Sequence, residues 1–145
     1  MPTSNDRINV LIESTWTVQF KEALCLQPKK KSAPLWHGAT LSHEIGINEL
    51  RPGGTVSGPV MMAVADVAIY VAILGRIGIV PLTVTTSLTI NFLRKPSADS
   101  RIIAECTLLK VGRTLIVGEV SLYSEGSDDV VAHVVGTYSV PPKRS

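Results

Sequence analysis

The segment Val60–Leu74 constrains the fold of this chain most, because every residue in it except Asp66 is apolar or aromatic. It is shorter than the roughly 20 apolar residues that a membrane span needs, and Arg76 and Pro81 follow it closely. A segment that is apolar on all sides is typical of a helix buried in a protein core. The sequence therefore predicts one core helix with a carboxylate in its middle, and no membrane span.

The residues before this segment are typical of a helix start. Ser57 can cap a helix with its hydroxyl, and Pro59 suits the first helical position because its missing N–H would have had no acceptor there. Gly58 between them lets another group approach the backbone closely. We expect the helix to run from about Pro59 to Arg76 and to end near Gly78.

After Pro81 the sequence alternates with a period of two, which predicts a strand. One face of that strand carries Leu82, Val84, Thr86, Leu88, Ile90 and Phe92. The other face carries the polar residues Thr83, Thr85, Ser87, Thr89 and Asn91. Three further strands joined by short turns are expected over Arg101–Lys110, Thr114–Tyr123 and Val130–Val140.

The first third of the chain has weaker patterns. Apolar residues at mostly helical spacing predict an amphipathic helix over about residues 7–26, followed by the polar connector Gln27–Pro34. Ala39–Glu49 is typical of one strand followed by irregular chain, and LRPGG at Leu50–Gly54 is typical of a turn.

These elements together predict an α+β fold. Strands joined by short turns form an antiparallel sheet, and a single apolar helix among them has to be covered by that sheet. We therefore predict a curved antiparallel sheet around one long central helix, with an extra N-terminal helix. A length of 145 residues suits a single domain, 1–145, with its core over about residues 37–141.

Composition excludes several classes of protein. A hydrophobic content of 45% is too high for a disordered chain, and a net charge of +2 without a basic stripe argues against nucleic-acid binding. Cys25 and Cys106 form no paired motif, and no secretory signal is found at the start of the chain. We expect a cytoplasmic protein with neither a nucleic-acid nor a membrane partner.

Asp66 links the predicted fold to a chemistry. An unpaired carboxylate in a dry core is costly, so Asp66 is either paired or faces a cleft. In the first case it bonds a strand hydroxyl or a basic side chain and only fixes the packing register. In the second case it acts as a general base or nucleophile in a partly desolvated site. The residues alone leave both interpretations open.

Gly58 offers a second functional group at the helix start. Its N–H, together with the positive end of the helix dipole, suits an oxyanion. Asp66 lies two helical turns later, about 12 Å along the axis. A substrate must therefore bridge the two residues, or a neighbouring chain must shorten the distance.

Four segments of the chain match one known family. They read GGTVSGPVMMAVAD, VTTSLTINFLRKP, KVGRTLIVGEVSL and VVAHVVGTYSV. These segments, within about Leu50–Val140, resemble the PaaI-like (phenylacetic-acid degradation) acyl-CoA thioesterases of the hotdog superfamily. The resemblance implies a helix wrapped by a curved sheet, and homodimers or homotetramers with active sites across the dimer interface. It implies no cofactor, since coenzyme A enters as part of the substrate.

The resemblance also implies roles for three residues. Gly58 matches the glycine whose amide binds the thioester carbonyl, and Asp66 matches the carboxylate that activates water or attacks directly. Thr85 matches a hydroxyl residue that orients the water, and we expect it to come from the partner subunit.

The loop before the helix departs from the family pattern. The family reads N-P-G-G-x-x-H-G-G, whereas this chain has Arg51 for the Asn, Ser57 for the His and Pro59 for the last Gly. The resemblance still implies that Arg51, Gly54, Ser57 and Pro59 lie beside the substrate. Arg51 binds an acidic acyl group, pairs with Asp66 or points to solvent, and the sequence does not decide among these.

Further substrate contacts follow from the same resemblance. Coenzyme A carries phosphates, so cations beside the site are expected partners. These are Arg94, Lys95, Lys110 and Arg113. Met62 lines an acyl tunnel or fills the core, and Tyr70, one turn after Asp66, closes the acyl pocket.

The leading functional hypothesis is hydrolysis of an acyl-CoA thioester, and the alternative is a non-catalytic protein that binds acyl groups or acyl-CoA. Hydratases of the same fold need a catalytic His, and none occurs between Leu50 and Arg76. His133 alternates with valines and is interpreted as a strand residue. His37 and His43 have no partner at metal-ligand spacing, so no metal site is expected.

Overall fold

The computed structural model describes residues 16–22 and 36–142 of the chain. In chain order the elements are β1 (Trp16–Glu22), β2 (Trp36–His43), a 3-10 turn (Ile47–Glu49), β3 (Leu50–Arg51), β4 (Thr55–Val56), α1 (Gly58–Ile77), β5 (Val84–Phe92), β6 (Ile102–Val111), β7 (Leu115–Ser124) and β8 (Val130–Ser139). Six strands form one antiparallel sheet in the order β1-β2-β6-β7-β8-β5. The predicted α+β architecture, one long helix packed on a large antiparallel sheet, is confirmed.

The helix α1 begins and ends close to the predicted residues. The Ser57 hydroxyl caps it by accepting a hydrogen bond from the Val60 N–H at 3.3 Å. Gly78 ends it with a φ of 86° and donates its N–H to the Leu74 carbonyl at 2.9 Å. The helix is long and apolar enough to suit a membrane span, yet half of it is buried within the protein, as in a core helix.

The core lies between α1 and the sheet. Ile69 and Ile73 of the helix are fully buried against Val120 and Val134 of the sheet. Gly136 in β8 lets the helix come this close, because a Cβ at that position would lie 2.6 Å from the Ile69 Cδ1 atom. A side chain there would force the ends of Ile69 and Leu88 to move, at the contact between α1 and the sheet.

The predicted N-terminal helix over residues 7–26 is wrong where the structure describes it. Residues 16–22 form β1, an edge strand that pairs with β2. Trp16 and Val18 are half-buried while Thr17 and Gln19 are exposed, so burial follows the period of a strand. Aromatic and β-branched side chains and the free edge of β2 outweigh the helical spacing. Residues 7–15 and 23–26 lie outside the described residues.

The strands after the helix match the prediction to within two residues, but the two faces of β5 do not. A β-bulge between Thr85 and Ser87 shifts the register against β8. Thr85 therefore pairs with the buried Tyr138 on the inner face, whereas Ser87 pairs with Thr137 on the outer face. The inserted residue reverses the side-chain alternation at this end of the strand, which a strict period of two does not predict.

Two smaller expectations about connecting segments also have an outcome. The LRPGG turn is confirmed as the connection of a short hairpin, because β3 pairs with β4 across it. Leu82, which the alternation places in the β5 strand, instead lies before that strand in a turn, with a φ of 67°.

Candidate active site

Asp66 is the polar centre of the site. Its side chain is half-buried on the face of α1 that meets the β5 end of the sheet. The Thr85 hydroxyl donates a hydrogen bond to Asp66 Oδ1 at 2.8 Å, and the Tyr138 hydroxyl donates a short hydrogen bond to the same oxygen. Among the described residues, Asp66 Oδ2 accepts no hydrogen bond. One carboxylate oxygen is therefore fixed, and the other is available for chemistry.

Thr85 comes from the same chain as Asp66, so the expectation that the partner subunit supplies it is wrong. The physical reason is the β-bulge in β5, which turns Thr85 from the outer face of the sheet to the inner face. Thr86, the inserted residue, donates its hydroxyl to the Thr137 carbonyl at 3.2 Å.

Tyr138 is a site residue that the sequence analysis missed. Its one hydroxyl proton is shared with the Asp66 backbone carbonyl, whose oxygen lies 2.9 Å from the hydroxyl oxygen, and its side chain is buried. Burial raises the pKa of Tyr138 well above its usual range, and the hydrogen bond to Asp66 raises this pKa further. Tyr138 is thus a neutral donor. The inward alternation of β8 could have indicated it, because a buried tyrosine needs a partner for its hydroxyl.

Gly58 lies at a separate cleft of about 410 Å³. The described lining residues are Arg51, Thr55, Val56, Gly58, Met61, Phe92, Leu93, Arg94, Lys95 and Pro96. The Phe92 ring packs on Gly58, since a Cβ there would lie 3.2 Å from the Phe92 Cζ. The N–H groups of a first helical turn have no acceptor within the helix, so this end of α1 can bind an oxyanion.

The cleft brings together three of the five predicted cations. Arg51, Arg94 and Lys95 line it, and the Arg94 guanidinium is anchored by donating to the Val130 carbonyl at 2.9 Å. Arg113 instead lines a cavity of about 620 Å³ at the opposite end of α1, with Ile77.

The remaining predicted substrate contacts are spread over several parts of the structure. Lys110 follows an irregularity in the pairing of β6 with β7 and does not line the Gly58 cleft. Gly54, with a φ of 79°, donates its N–H to the Arg51 carbonyl in the turn beside the cleft. Met62 is 37% exposed. Tyr70 stacks on Tyr138 with ring centroids 6.2 Å apart, next to Asp66.

Within one chain Gly58 and Asp66 do not form one site. They stand two turns apart on α1, and Asp66 is not among the residues that line the Gly58 cleft. The chain therefore carries two half-sites, one with a fixed carboxylate and one with a helix N-terminus surrounded by cations.

A third cavity, of about 700 Å³, contains a histidine–carboxylate pair. His43 Nε2 lies 2.9 and 3.1 Å from the two carboxylate oxygens of Glu49, and the Gly46 N–H donates to Glu49 at 2.8 Å. The Trp16 ring stacks on the His43 ring with centroids 4.0 Å apart. The pair has no recognisable spacing in the sequence, because the two residues belong to a strand and to the 3-10 turn after it.

Comparisons with known proteins agree on one family. The family model described as Thioesterase superfamily matches residues 53–131, more than half of the chain. No curated protein sequence matches the chain. A crystal structure of a candidate thioesterase from Silicibacter sp. TM1040 is 36% identical, with a TM-score of 0.73, and the match covers 94% of this chain and 85% of that one.

Two further solved structures are similar. A mutant of the phenylacetic acid degradation protein PaaI from Thermus thermophilus is 25% identical over 87% of this chain and 93% of its own, with a TM-score of 0.64. A hypothetical thioesterase from Streptococcus pneumoniae, solved with coenzyme A, shares the fold at 17% identity and a TM-score of 0.68. That match covers 91% of this chain and 93% of the other.

Proposed function

Because this chain belongs to the Thioesterase superfamily, with PaaI among its structural neighbours, we propose that it hydrolyses an acyl-CoA thioester to the free acid and coenzyme A. The observation that carries the proposal is the half-buried Asp66 carboxylate, whose Oδ1 is held by two hydroxyl donors while its Oδ2 accepts no hydrogen bond from the described residues. A carboxylate presented in this way is suited to act as a general base or as a nucleophile.

The second half-site comes from a partner subunit, because β5 is suited to pair with its own copy. It is an edge strand of nine residues without charge or proline, and Val84 and Phe92 at its ends are 52% and 50% exposed. An unprotected apolar edge is a template for another strand. A two-fold dimer pairs such a strand with its copy in antiparallel orientation. The protein is thus a homodimer, or a homotetramer made of two such dimers.

This pairing joins the two half-sites. Asp66 is hydrogen-bonded to Thr85 near the start of β5, and Gly58 packs on Phe92 at its end. In an antiparallel pair the end of one strand faces the start of the other. The partner's Gly58 is therefore brought towards Asp66, although the two residues of one chain are about 12 Å apart along the helix.

The chemistry follows from these groups and uses only protein atoms and water. The partner's Gly58 N–H and the helix dipole stabilise the negative charge that develops on the thioester oxygen. Asp66 Oδ2 accepts a proton from the attacking water, or attacks the carbonyl carbon itself, while Thr85 and Tyr138 hold Oδ1. The carbon–sulfur bond then breaks. If water attacked, the proton held by Asp66 passes to the thiolate of coenzyme A. If Asp66 attacked, a water molecule hydrolyses the acyl–Asp66 anhydride to the free acid and supplies the proton that the thiolate takes up.

The cation-lined cleft supports coenzyme A as the carrier of the acyl group. Arg51, Arg94 and Lys95 surround the helix N-terminus, and guanidinium and ammonium groups are suited to bind phosphates. A protein of the same fold has been solved with coenzyme A. We assign Arg51 to this cleft, since no contact between Arg51 and Asp66 is found in the described part of the chain.

A thiol-release assay over acetyl-, hexanoyl-, octanoyl- and phenylacetyl-CoA tests the function. We expect turnover with at least one substrate, and a loss of about 100-fold or more in kcat for Asp66→Asn and Asp66→Ala. Asp99→Asn, a substitution in the loop after β5, is the matched control and should retain wild-type kcat. Full turnover by both Asp66 variants would refute the proposed role.

A non-catalytic acyl-CoA-binding protein is the second candidate. Its support is the loop before α1, where this chain has Arg51 and Ser57 instead of the Asn and His of the PaaI-like family pattern. Calorimetric binding of these acyl-CoAs without any thiol release would favour it. We propose a cytoplasmic location in either case.

A further inference from the structure

The cavity that contains the His43–Glu49 pair lies along the first half of α1. Its apolar walls are Trp16, Ile45, Pro59, Val60, Ala63 and Val64. They belong to β1, the loop after β2 and the helix, so all three meet at this cavity. A cavity of about 700 Å³ with mostly apolar walls is of the size that small-molecule sites have.

Asp66 lies outside the described lining of this cavity but on the same face of α1 as two of the lining residues. Pro59, Ala63 and Asp66 are spaced i, i+4 and i+7 on α1, so they lie on one face of the helix. Ala63 is one turn from the carboxylate, and Pro59 is about 10 Å from it along the axis. A group bonded to a carbon held at Asp66 can therefore extend over Ala63 into the cavity of the same chain.

The charges in this cavity differ from those in the Gly58 cleft. Its described lining includes the carboxylates of Glu44 and Glu49 and contains no Lys or Arg, although Arg101, outside the lining, lies 3.6 Å from Glu44. The Glu49 side chain is fixed at the wall by His43 and by the Gly46 N–H. Both basic side chains beside these carboxylates are already paired with them, so a terminal carboxylate of an acyl group would lose its water contacts here and gain no cation. A neutral apolar chain is instead stabilised when it leaves water.

We propose that this cavity binds the acyl group, and that the substrates are thioesters of neutral, predominantly apolar acyl groups longer than acetyl. The inference rests on the proposed function, because it places the thioester at Asp66. Coenzyme A then lies in the partner's cation-lined cleft and the acyl chain in this cavity, so the thioester carbon sits where the two meet. The stacked Trp16 and His43 rings form part of the wall that limits acyl length.

Two substrates of equal length test the charge selection. Hexanoyl-CoA and adipoyl-CoA differ in the terminal group, which is a methyl in one and a carboxylate in the other. We expect kcat/KM to be about tenfold or more higher for hexanoyl-CoA, and higher for hexanoyl-CoA than for acetyl-CoA, because each buried methylene contributes to binding. Equal values for hexanoyl- and adipoyl-CoA would overturn the assignment.

The location is tested by filling the cavity. Ala63 is exposed, so Ala63→Phe is expected to fold while placing a ring at the entrance from Asp66. We expect the hexanoyl-to-acetyl ratio of kcat/KM to fall about tenfold in this variant. Ala98→Phe, the same change in the loop between β5 and β6, should leave the ratio unchanged. An unchanged ratio in Ala63→Phe contradicts the location.

Binding measurements separate this inference from the proposed function. S-hexyl-CoA is a thioether that cannot be hydrolysed, and its 5-carboxypentyl analogue adds the terminal carboxylate. We expect calorimetry to give about tenfold tighter binding of S-hexyl-CoA to the wild type, and a loss of this preference in Ala63→Phe. If no acyl-CoA is hydrolysed but this preference is found, the proposed function fails and the acyl site stands. Equal affinities would reject the site even in an active enzyme.

Discussion

The Tyr138 hydroxyl lies within hydrogen-bond distance of both the backbone carbonyl and the side-chain carboxylate of Asp66, so the two acceptors share its one proton. It thereby connects β8 to α1 and to the carboxylate that α1 carries. Because the second donor, Thr85, also binds Oδ1, the carboxylate cannot rotate without losing both bonds. The geometry selects Oδ2 as the reactive oxygen.

The first prediction concerns Tyr138→Phe. This variant keeps the buried ring and removes one donor to Asp66. We expect kcat to fall about tenfold or more with KM nearly unchanged, because hydrogen bonds to charged groups are strong and the carboxylate loses its orientation. Steady-state thiol release on the preferred acyl-CoA measures both constants.

The control for this variant is Tyr123→Phe, which removes a hydroxyl from β7 away from Asp66. The double variant with Thr85→Val and Tyr138→Phe should lose more kcat than the two single losses combined predict, because neither donor then holds Oδ1. Additive losses would show that the two hydroxyls do not share this task.

The second prediction concerns alkaline stability. The pKa of Tyr138 is raised in the folded chain above the value of about 10 that an unfolded tyrosine has. Above that pH the unfolded state releases the proton first, so the free energy of unfolding falls as pH rises, by at most about 1.4 kcal/mol per pH unit. The stabilisation that comes from the raised pKa of Tyr138 is fully present below about pH 10.

Urea unfolding at about pH 9 and pH 11 measures this effect. Tyr138→Phe has no proton to lose at this position, so its free energy of unfolding should fall less than that of the wild type over the same interval. Equal losses in the two proteins would mean that other groups account for the alkaline unfolding.

Much of this architecture could be predicted from residue patterns. The run of apolar residues around Asp66 indicates the helix, and Ser57 marks its start, because an apolar face and a capping hydroxyl are local signals. The last three strands follow from alternation and short turns. The two half-sites can be identified through Asp66 and Gly58, since a lone acid and a glycine at a helix start stand out in such a segment.

What could not be predicted depends on contacts between distant segments. The bulge that turns Thr85 inward exists only against β8, and its inserted residue, Thr86, carries no distinguishing sequence signal. The N-terminal segment at Trp16 has apolar residues compatible with either a helix or a strand, and the free edge of β2 decides in favour of the strand. Pairing partners determine both outcomes, and a single sequence does not display them.

The third prediction concerns the oxyanion donor. Gly58→Pro removes the N–H while proline remains compatible with the first helical position, and Gly58→Ala adds the same Cβ but keeps the N–H. Both changes press on the Phe92 ring, so the pair isolates the donor. We expect kcat to fall about 100-fold in Gly58→Pro, as for the loss of an oxyanion-hole donor, and much less in Gly58→Ala. Equal losses of kcat in the two variants would mean that crowding of the Phe92 ring, and not the missing N–H, causes the effect.

The fourth prediction tests whether each site is shared between two chains. Asp66→Asn inactivates one half-site and Gly58→Pro the other, so each variant alone should be inactive. Co-expression of both forms mixed dimers in which one site carries both defects and the other carries neither. Because half of the dimers are mixed and each has one intact site of two, activity should return to about a quarter of the wild-type value. If Gly58 and Asp66 of the same chain acted together, every site would retain one defect and mixing would restore nothing.

Tagging the two variants differently and isolating the mixed dimers should double the recovered activity, which separates true complementation from traces of wild-type protein.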